Sequence, residues 1–295
     1  MKSKIYFMLS MIIFGAIGVF AKYIDMPSST IALCLCFIGA LVLFFIFVWT
    51  KQKISWTAIK KNAAALVIAS IALIGNWIFL FQAFKVTTIA NAALSYYFAP
   101  VLVILLSPLL LKEKLSLRKA VCIGIALMGL FFILQNGKLE TTGLHLLGIC
   151  YGLTAAFFYA ALTLVNKFIR DLDGLANTLL QLGLSVMILF PIVLFTDGIN
   201  FFAFSSSTIL LMLVLGFVHG GIGFYLFFAG MKGLNGQSIA ILSYIDPLTS
   251  LIISTLVIGE RMTVQQLIGA VLLLGSIWIS EAGGEKKKRR GLRTL

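Results

Sequence analysis

The apolar stretch 236–258 holds a single carboxylate, Asp246, directly before Pro247. At the centre of a membrane helix such a group costs roughly 2.5–3.5 kcal/mol, so it must be paired, protonated or turned toward water. These states suit it to carry a proton or to meet a cationic group on a bound molecule. A salt link to a helix-end lysine, or a bond to backbone freed by Pro247, is the structural alternative. Uncharged polar side chains interrupt the other apolar stretches: Asn76, Trp77 and Gln82; Asn91, Ser95, Tyr96 and Tyr97; Tyr159 and Thr163; His219 and Tyr225; Ser243 and Tyr244. Inside a bilayer they mark solute pathways or bonds between helices. The candidate ligands for a small solute are Asn76, Trp77, Ser95, Tyr97, Tyr159, His219, Tyr225, Tyr244 and Asp246, and Asp246 is also the candidate coupling residue.

Other chemistries find little support. Of the two histidines, His145 falls in a predicted loop and His219 in an apolar stretch, and neither is joined by a metal-ligand or nucleophile constellation. No glycine-rich phosphate loop occurs, which argues against pumping driven by ATP in this chain. Cys34, Cys36, Cys122 and Cys150 match no zinc or redox spacing and read as small buried hydrophobes. No cofactor and no metal are expected. An intramembrane enzyme or a lipid-handling protein is the alternative to a solute carrier.

The elements that must position these residues follow from composition. Of 295 residues 61% are hydrophobic and 11% charged, against roughly 25% charged in soluble domains. A helix needs about 20 apolar residues to cross a hydrocarbon core, so this length allows about ten crossings with short connections. Apolar runs predict helices near 5–22, 29–49, 63–85, 90–111, 119–135, 146–166, 175–196, 208–231, 236–258 and 265–281. The first run lacks a small-residue cleavage pattern and reads as the first helix rather than a secretory signal. The net charge of +13 lies at helix ends and in the cluster Lys286 to Arg290, a pattern that fits topology and lipid headgroups rather than nucleic acid. With the N-terminus in the cytoplasm, 19 of the 23 basic residues fall on the cytoplasmic side, leaving Lys22, Lys85, Lys138 and Arg261 opposite. This places both termini inside and favours an even helix count.

The chain also repeats. A shift of 147 residues aligns Phe81 with Phe228, Lys85 with Lys232, Tyr97 with Tyr244, Pro100 with Pro247 and Glu113 with Glu260. A shift of 145 aligns Lys22 with Lys167, and the glycines of the fifth and tenth helices match after a small slip. Five helices per copy is odd, so the second copy must enter the membrane inverted, as in many secondary transporters whose site lies between the halves. The expected architecture is an all-α integral membrane protein with ten transmembrane helices as two inverted five-helix repeats, 1–140 and 141–283, and a basic cytoplasmic tail, 284–295. Duplication into a larger scaffold is the alternative. Gly148-x-x-x-Gly152 and Gly216-x-x-x-Gly220 permit close helix contact, with a hinge or cavity floor as the second reading. Pro100 and Pro247 each remove a backbone hydrogen bond in mid-helix, which either exposes backbone to a solute or merely bends the helix. Glu113 and Glu260, beside Lys114 and Arg261, read as interfacial ion pairs or gate contacts, with substrate ligands as the second reading.

Phe98-Ala99-Pro100 through Lys112-Glu113-Lys114-Leu115-Ser116, and Ile245-Asp246-Pro247 through Gly259-Glu260-Arg261-Met262-Thr263, then Ile268-Gly269, carry a resemblance over nearly the whole chain. It resembles the EamA family of the drug/metabolite transporter superfamily. The family's tryptophan-glycine pair near the end of helix one stands here as Phe14-Gly15, and its common basic residue in helix two is absent from Ser29 to Trp49. The resemblance implies a central cavity lined by helices one, three, four, six, eight and nine, and it favours export. The resulting expectation is a multi-pass protein of the cell membrane that moves a small organic metabolite, such as an amino acid, amine or related compound, by alternating access. Its partners are that small-molecule substrate and the lipid bilayer, with no nucleic acid; a homodimer is compatible with the sequence.

Overall fold

The computed structural model describes residues 2–17, 20, 23–87, 89–112, 117–134, 143–198, 204–253, 256 and 263–291. Glu113, Lys114, Glu260, Arg261, Lys22 and Lys138 lie outside the described residues. Among those described every regular element is helical: α1 Lys2–Gly15, α2 Ser28–Trp49, α3 Trp56–Val86, α4 Ile89–Tyr96, α5 Ala99–Leu111, α6 Leu117–Leu134, α7 Gly143–Val165, α8 Gly174–Thr196, α9 Ser206–Leu215, α10 Phe224–Lys232, α11 Gly236–Leu242, α12 Ile245–Ile253 and α13 Val264–Gly291. A π-helical segment, Gly216–Gly223, joins α9 to α10. Among the described residues five spans are long and apolar enough to cross a membrane: Ser28–Trp49, Trp56–Val86, Leu146–Val165, Gly174–Thr196 and Ser206–Lys232. Two shorter apolar helices, Ala99–Leu111 and Val264–Ile279, join them. Large apolar side chains such as Trp49, Leu109 and Phe195 point outward, while Asn76, Gln181 and His219 are buried. Water would not tolerate that distribution, whereas hydrocarbon demands it, since polar groups there must be satisfied inside. The chain is a multi-pass membrane protein.

The structure corrects two predicted helices. The fourth, 90–111, is broken into α4 and α5, and the ninth, 236–258, is broken at the same place into α11 and α12. Each proline therefore sits in the first turn of a new helix, where backbone N–H groups have no intrahelical acceptor and a missing donor costs nothing. The breaks fall upstream, at Tyr97-Phe98 and Ser243-Tyr244, where turn bonds run from the Phe98 N–H to the Ser95 carbonyl and from the Tyr244 N–H to the Ile241 carbonyl. Neither proline is a mid-helix kink.

Glycine explains the closest packing. A methyl group on Gly148 would meet Thr87, and one on Gly152 would meet Ser95, so this pair lets α7 lie against the start and end of α4. Gly216 packs on Ile38, and Gly220 on the backbone of Leu35 and Gly39, so the second pair seats the π segment on α2. Both glycine pairs thus serve helix packing. Three cysteines are buried as expected, but Cys150 is exposed on α7.

The contacts repeat under the sequence shift. α1 packs on α10 and α12, while α7 packs on α3 and α5; α2 packs on α8, and α6 on α13. The ends are tied in the same manner. The Lys85 ammonium donates to the Met26 carbonyl, and the equivalent Lys232 donates to the Leu172 carbonyl. Lys167 donates to the carbonyls of Met231 and Leu234, fastening the end of α7 to the end of α10. Each lysine supplies donors to carbonyls that a helix end or loop would otherwise leave unpaired.

Candidate substrate cavity

The breaks at 97–98 and 243–244 bring two helix junctions to the centre of the bundle, and a cavity opens beside them. It encloses about 700 Å³ of atom-free space, its open mouth included. Its walls come from α1, α3, α4, α7, α10 and α12. The polar pole is Asp246, in the first turn of α12. The Tyr97 hydroxyl donates to its Oδ1 at 2.9 Å, and among the described residues no cation pairs with it. Asp246 keeps part of its surface open, and that surface faces the cavity. Gly15 makes this position possible. An added Cβ there would stand 2.7 Å from the Asp246 carbonyl oxygen and 2.7 Å from Thr249 Cβ, so α1 meets α12 backbone to backbone at the carboxylate.

A second polar group frames the pole. Asn76 Nδ2 donates to the Ala155 carbonyl at 3.0 Å and lies 3.5 Å from the Tyr96 hydroxyl, which joins α3, α4 and α7. Ser243 Oγ bonds the Ile239 carbonyl at 2.8 Å, which uses its one proton. The Tyr159 hydroxyl, 2.9 Å away, is therefore the donor in their mutual bond.

The remaining wall is apolar, with Met11, Ile17, Leu73, Leu80 and Leu162 set among aromatic rings. Phe14 meets Trp77 at 6.3 Å and Phe224 at 5.6 Å, both edge to face, and Phe227 at 5.7 Å. Tyr96 lies edge to face with Tyr159 at 6.0 Å. The Trp77 indole N–H is buried without a hydrogen-bond partner among the described residues.

Of the sequence-derived candidates, Asn76, Trp77, Tyr97, Tyr159 and Asp246 come together around this cavity. Four lie elsewhere. Ser95 donates to the Ala92 carbonyl and packs against Gly152. His219 lies behind Phe14, stacked on it at 6.5 Å and edge-on to Phe20; its ring nitrogens make no bond of ordinary geometry, although the Ile13 carbonyl is near. Tyr225 is half-buried beside Tyr6. Tyr244 is buried in a second cluster with Val103, Ile104 and Leu273, its hydroxyl unpartnered among the described residues. Reasoning from sequence missed Phe14, Phe224 and Phe227. Only Phe14 carried a signal, through its place beside Gly15.

A multi-pass helical bundle with a central cavity, walled by helices from both halves of the chain, has the form of a solute carrier. The sequence profile of the EamA-like transporter family matches residues 1–135 and again residues 146–281. The chain belongs to this family, within the drug/metabolite transporter superfamily. It is 32% identical over 270 residues to the uncharacterized transporter YxxF of Bacillus subtilis strain 168, covering 91% of this chain and 86% of that protein. It is 24% identical to the uncharacterized inner membrane transporter YicL of Salmonella typhimurium strain LT2, covering 98% of each. A crystal structure of a protein 18% identical in sequence shares the fold, with a TM-score of 0.78 over 94% of this chain and 97% of that one.

Proposed function

We propose that this protein is a secondary transporter that carries a small organic metabolite, an amino acid, amine or related compound, across the cell membrane by alternating access, with export as its direction. In this reading the chain crosses ten times, as inverted five-helix halves 1–140 and 141–283 followed by the basic tail 284–295, and both termini are cytoplasmic. The split fourth and ninth helices each count as one crossing. The observation that carries the reading is the cavity itself. Its walls come from α1, α3 and α4 of one half and α7, α10 and α12 of the other, so a relative movement of the halves changes the cavity directly. Asn76, Trp77, Tyr97, Tyr159 and Asp246 are the proposed substrate contacts, with Asp246 also coupling transport to an ion gradient. Ser95, His219, Tyr225 and Tyr244 support the helices around them.

A thermal-stability screen of the purified protein against amino acids, amines, sugars and nucleosides tests this function. A bound ligand raises the apparent stability by RT ln(1 + [L]/Kd), about 2.7 kcal/mol at one hundred times Kd. At least one compound is expected to raise the melting temperature, and to do so less in Trp77→Leu. A screen in which no small metabolite has an effect overturns the reading.

A further inference from the structure

The charge inventory of the cavity narrows the substrate class. Among the described residues its lining contains one carboxylate, Asp246, and no lysine, arginine or histidine. Asp246 takes its one described hydrogen bond from Tyr97, and that bond occupies Oδ1. The surrounding surface mixes ring faces and edges from Phe14, Trp77, Phe224 and Phe227 with the aliphatic side chains of Met11, Ile17, Leu73, Leu80 and Leu162. A ring face carries negative potential and attracts a cation held over it. A carboxylate brought to low dielectric without a cationic partner is strongly disfavoured.

We propose that the cavity binds a lipophilic monocation: a protonated amine or quaternary ammonium on an apolar or aromatic body, without a carboxylate of its own. The inference rests on the transporter reading and chooses within it, because a zwitterionic amino acid would find a charged partner for its ammonium group and, among the described residues, none for its carboxylate. The internal repeat adds an independent argument. The residue equivalent to Asp246 in the first half is Ala99, and it occupies the same place in the first turn of α5. The helix break and the proline turn therefore form without an acid, so the carboxylate is not a requirement of the junction. It is an addition to one half only, placed where the cavity has its polar pole.

The test is equilibrium binding of tritiated trimethyl(2-phenylethyl)ammonium to the full-length protein in detergent, with unlabelled competitors. Saturable binding is expected, displaced by 2-phenylethylamine but not by phenylalanine or 2-phenylethanol, which separate the cationic group from the ring. Asp246→Asn should weaken binding at least about tenfold, as expected for loss of a charge-assisted contact. Asp246→Glu, which keeps the charge, should retain it and so controls for folding. Displacement by phenylalanine as strong as that by 2-phenylethylamine, or unchanged affinity in Asp246→Asn, overturns the cation assignment. Should phenylalanine or another metabolite from the stability screen bind while the ammonium probe does not, the transporter reading survives and this inference fails. Should nothing bind in either experiment, both fail.

Discussion

Tyr97 and Tyr244 occupy equivalent places at the two helix breaks, yet the structure gives their hydroxyls opposite circumstances. Tyr97 donates to Asp246 at 2.9 Å. Tyr244 is buried with no partner among the described residues, and the position equivalent to Asp246 is Ala99. The same substitution, Tyr to Phe, should therefore have opposite signs. A hydrogen bond to a charged group contributes about 1.5–3 kcal/mol, so Tyr97→Phe should destabilise by that order. A buried hydroxyl left unsatisfied costs about 1–3 kcal/mol, so Tyr244→Phe, which keeps the ring against Val103 and Ile104, should stabilise by about 1 kcal/mol or more. Unfolding in mixed detergent and dodecyl sulfate micelles, followed by circular dichroism, measures both. A reciprocal experiment places the missing acid in the first half. In a double-mutant cycle, Ala99→Asp and Tyr244→Phe should couple by about 1 kcal/mol or more, since the new carboxylate and the orphan phenol become partners. Equal destabilisation by both Phe variants, or a cycle with no coupling, would show that the two tyrosines are not in these opposite circumstances.

Other expectations follow from the same geometry. Gly15→Ala inserts a methyl group 2.7 Å from the α12 backbone at Asp246; overpacking of this kind costs about 1–3 kcal/mol, and both the melting temperature and ligand affinity should fall. Asn76→Leu strands the Ala155 carbonyl and frees Tyr96, so affinity should drop about tenfold, whereas His219→Leu, behind Phe14, should leave affinity within about twofold; the reverse order in a binding titration would move the site. With the termini in the cytoplasm, single cysteines at Met26 or Gly198, in a Cys-free background, should react with an impermeant thiol reagent in intact cells, and one at Lys53 should not; labelling at Lys53 would invert the topology.

Much of this was legible because a polar residue in an apolar stretch is conspicuous. Asp246, Tyr97, Tyr159, Asn76 and Trp77 stood out in the sequence, and the structure gathers them at one cavity. The aromatic wall did not stand out. Phe224 and Phe227 have the same side chain as the outward-pointing Phe195, and only the packing of α10 on α1 turns them inward. The prolines announced an irregularity but not its place: the chain breaks upstream of each one and uses the proline to begin the next helix. Ser95 stood out as a polar residue, but a serine can bond the preceding turn, here through the Ala92 carbonyl, and it packs against Gly152 rather than lining the cavity. The π segment was read as a glycine pair for packing, with a hinge or cavity floor as the second reading, and its wider register was not foreseen. Its wider register goes with backbone contacts to Leu35 and Gly39, residues distant in sequence.

If the cavity is the binding site of a carrier, the bound solute must exchange across the bilayer, and counterflow reads that exchange. Proteoliposomes containing the purified protein, preloaded with unlabelled trimethyl(2-phenylethyl)ammonium and diluted into a trace of the tritiated compound, should accumulate label transiently above equilibrium. The overshoot should saturate with concentration and be lost in Asp246→Asn while that variant remains monodisperse. Label that only equilibrates, at a rate linear in concentration and the same in both proteins, would mean that this cation is not carried through the cavity; the same outcome with a metabolite that raises the melting temperature would rule out a carrier.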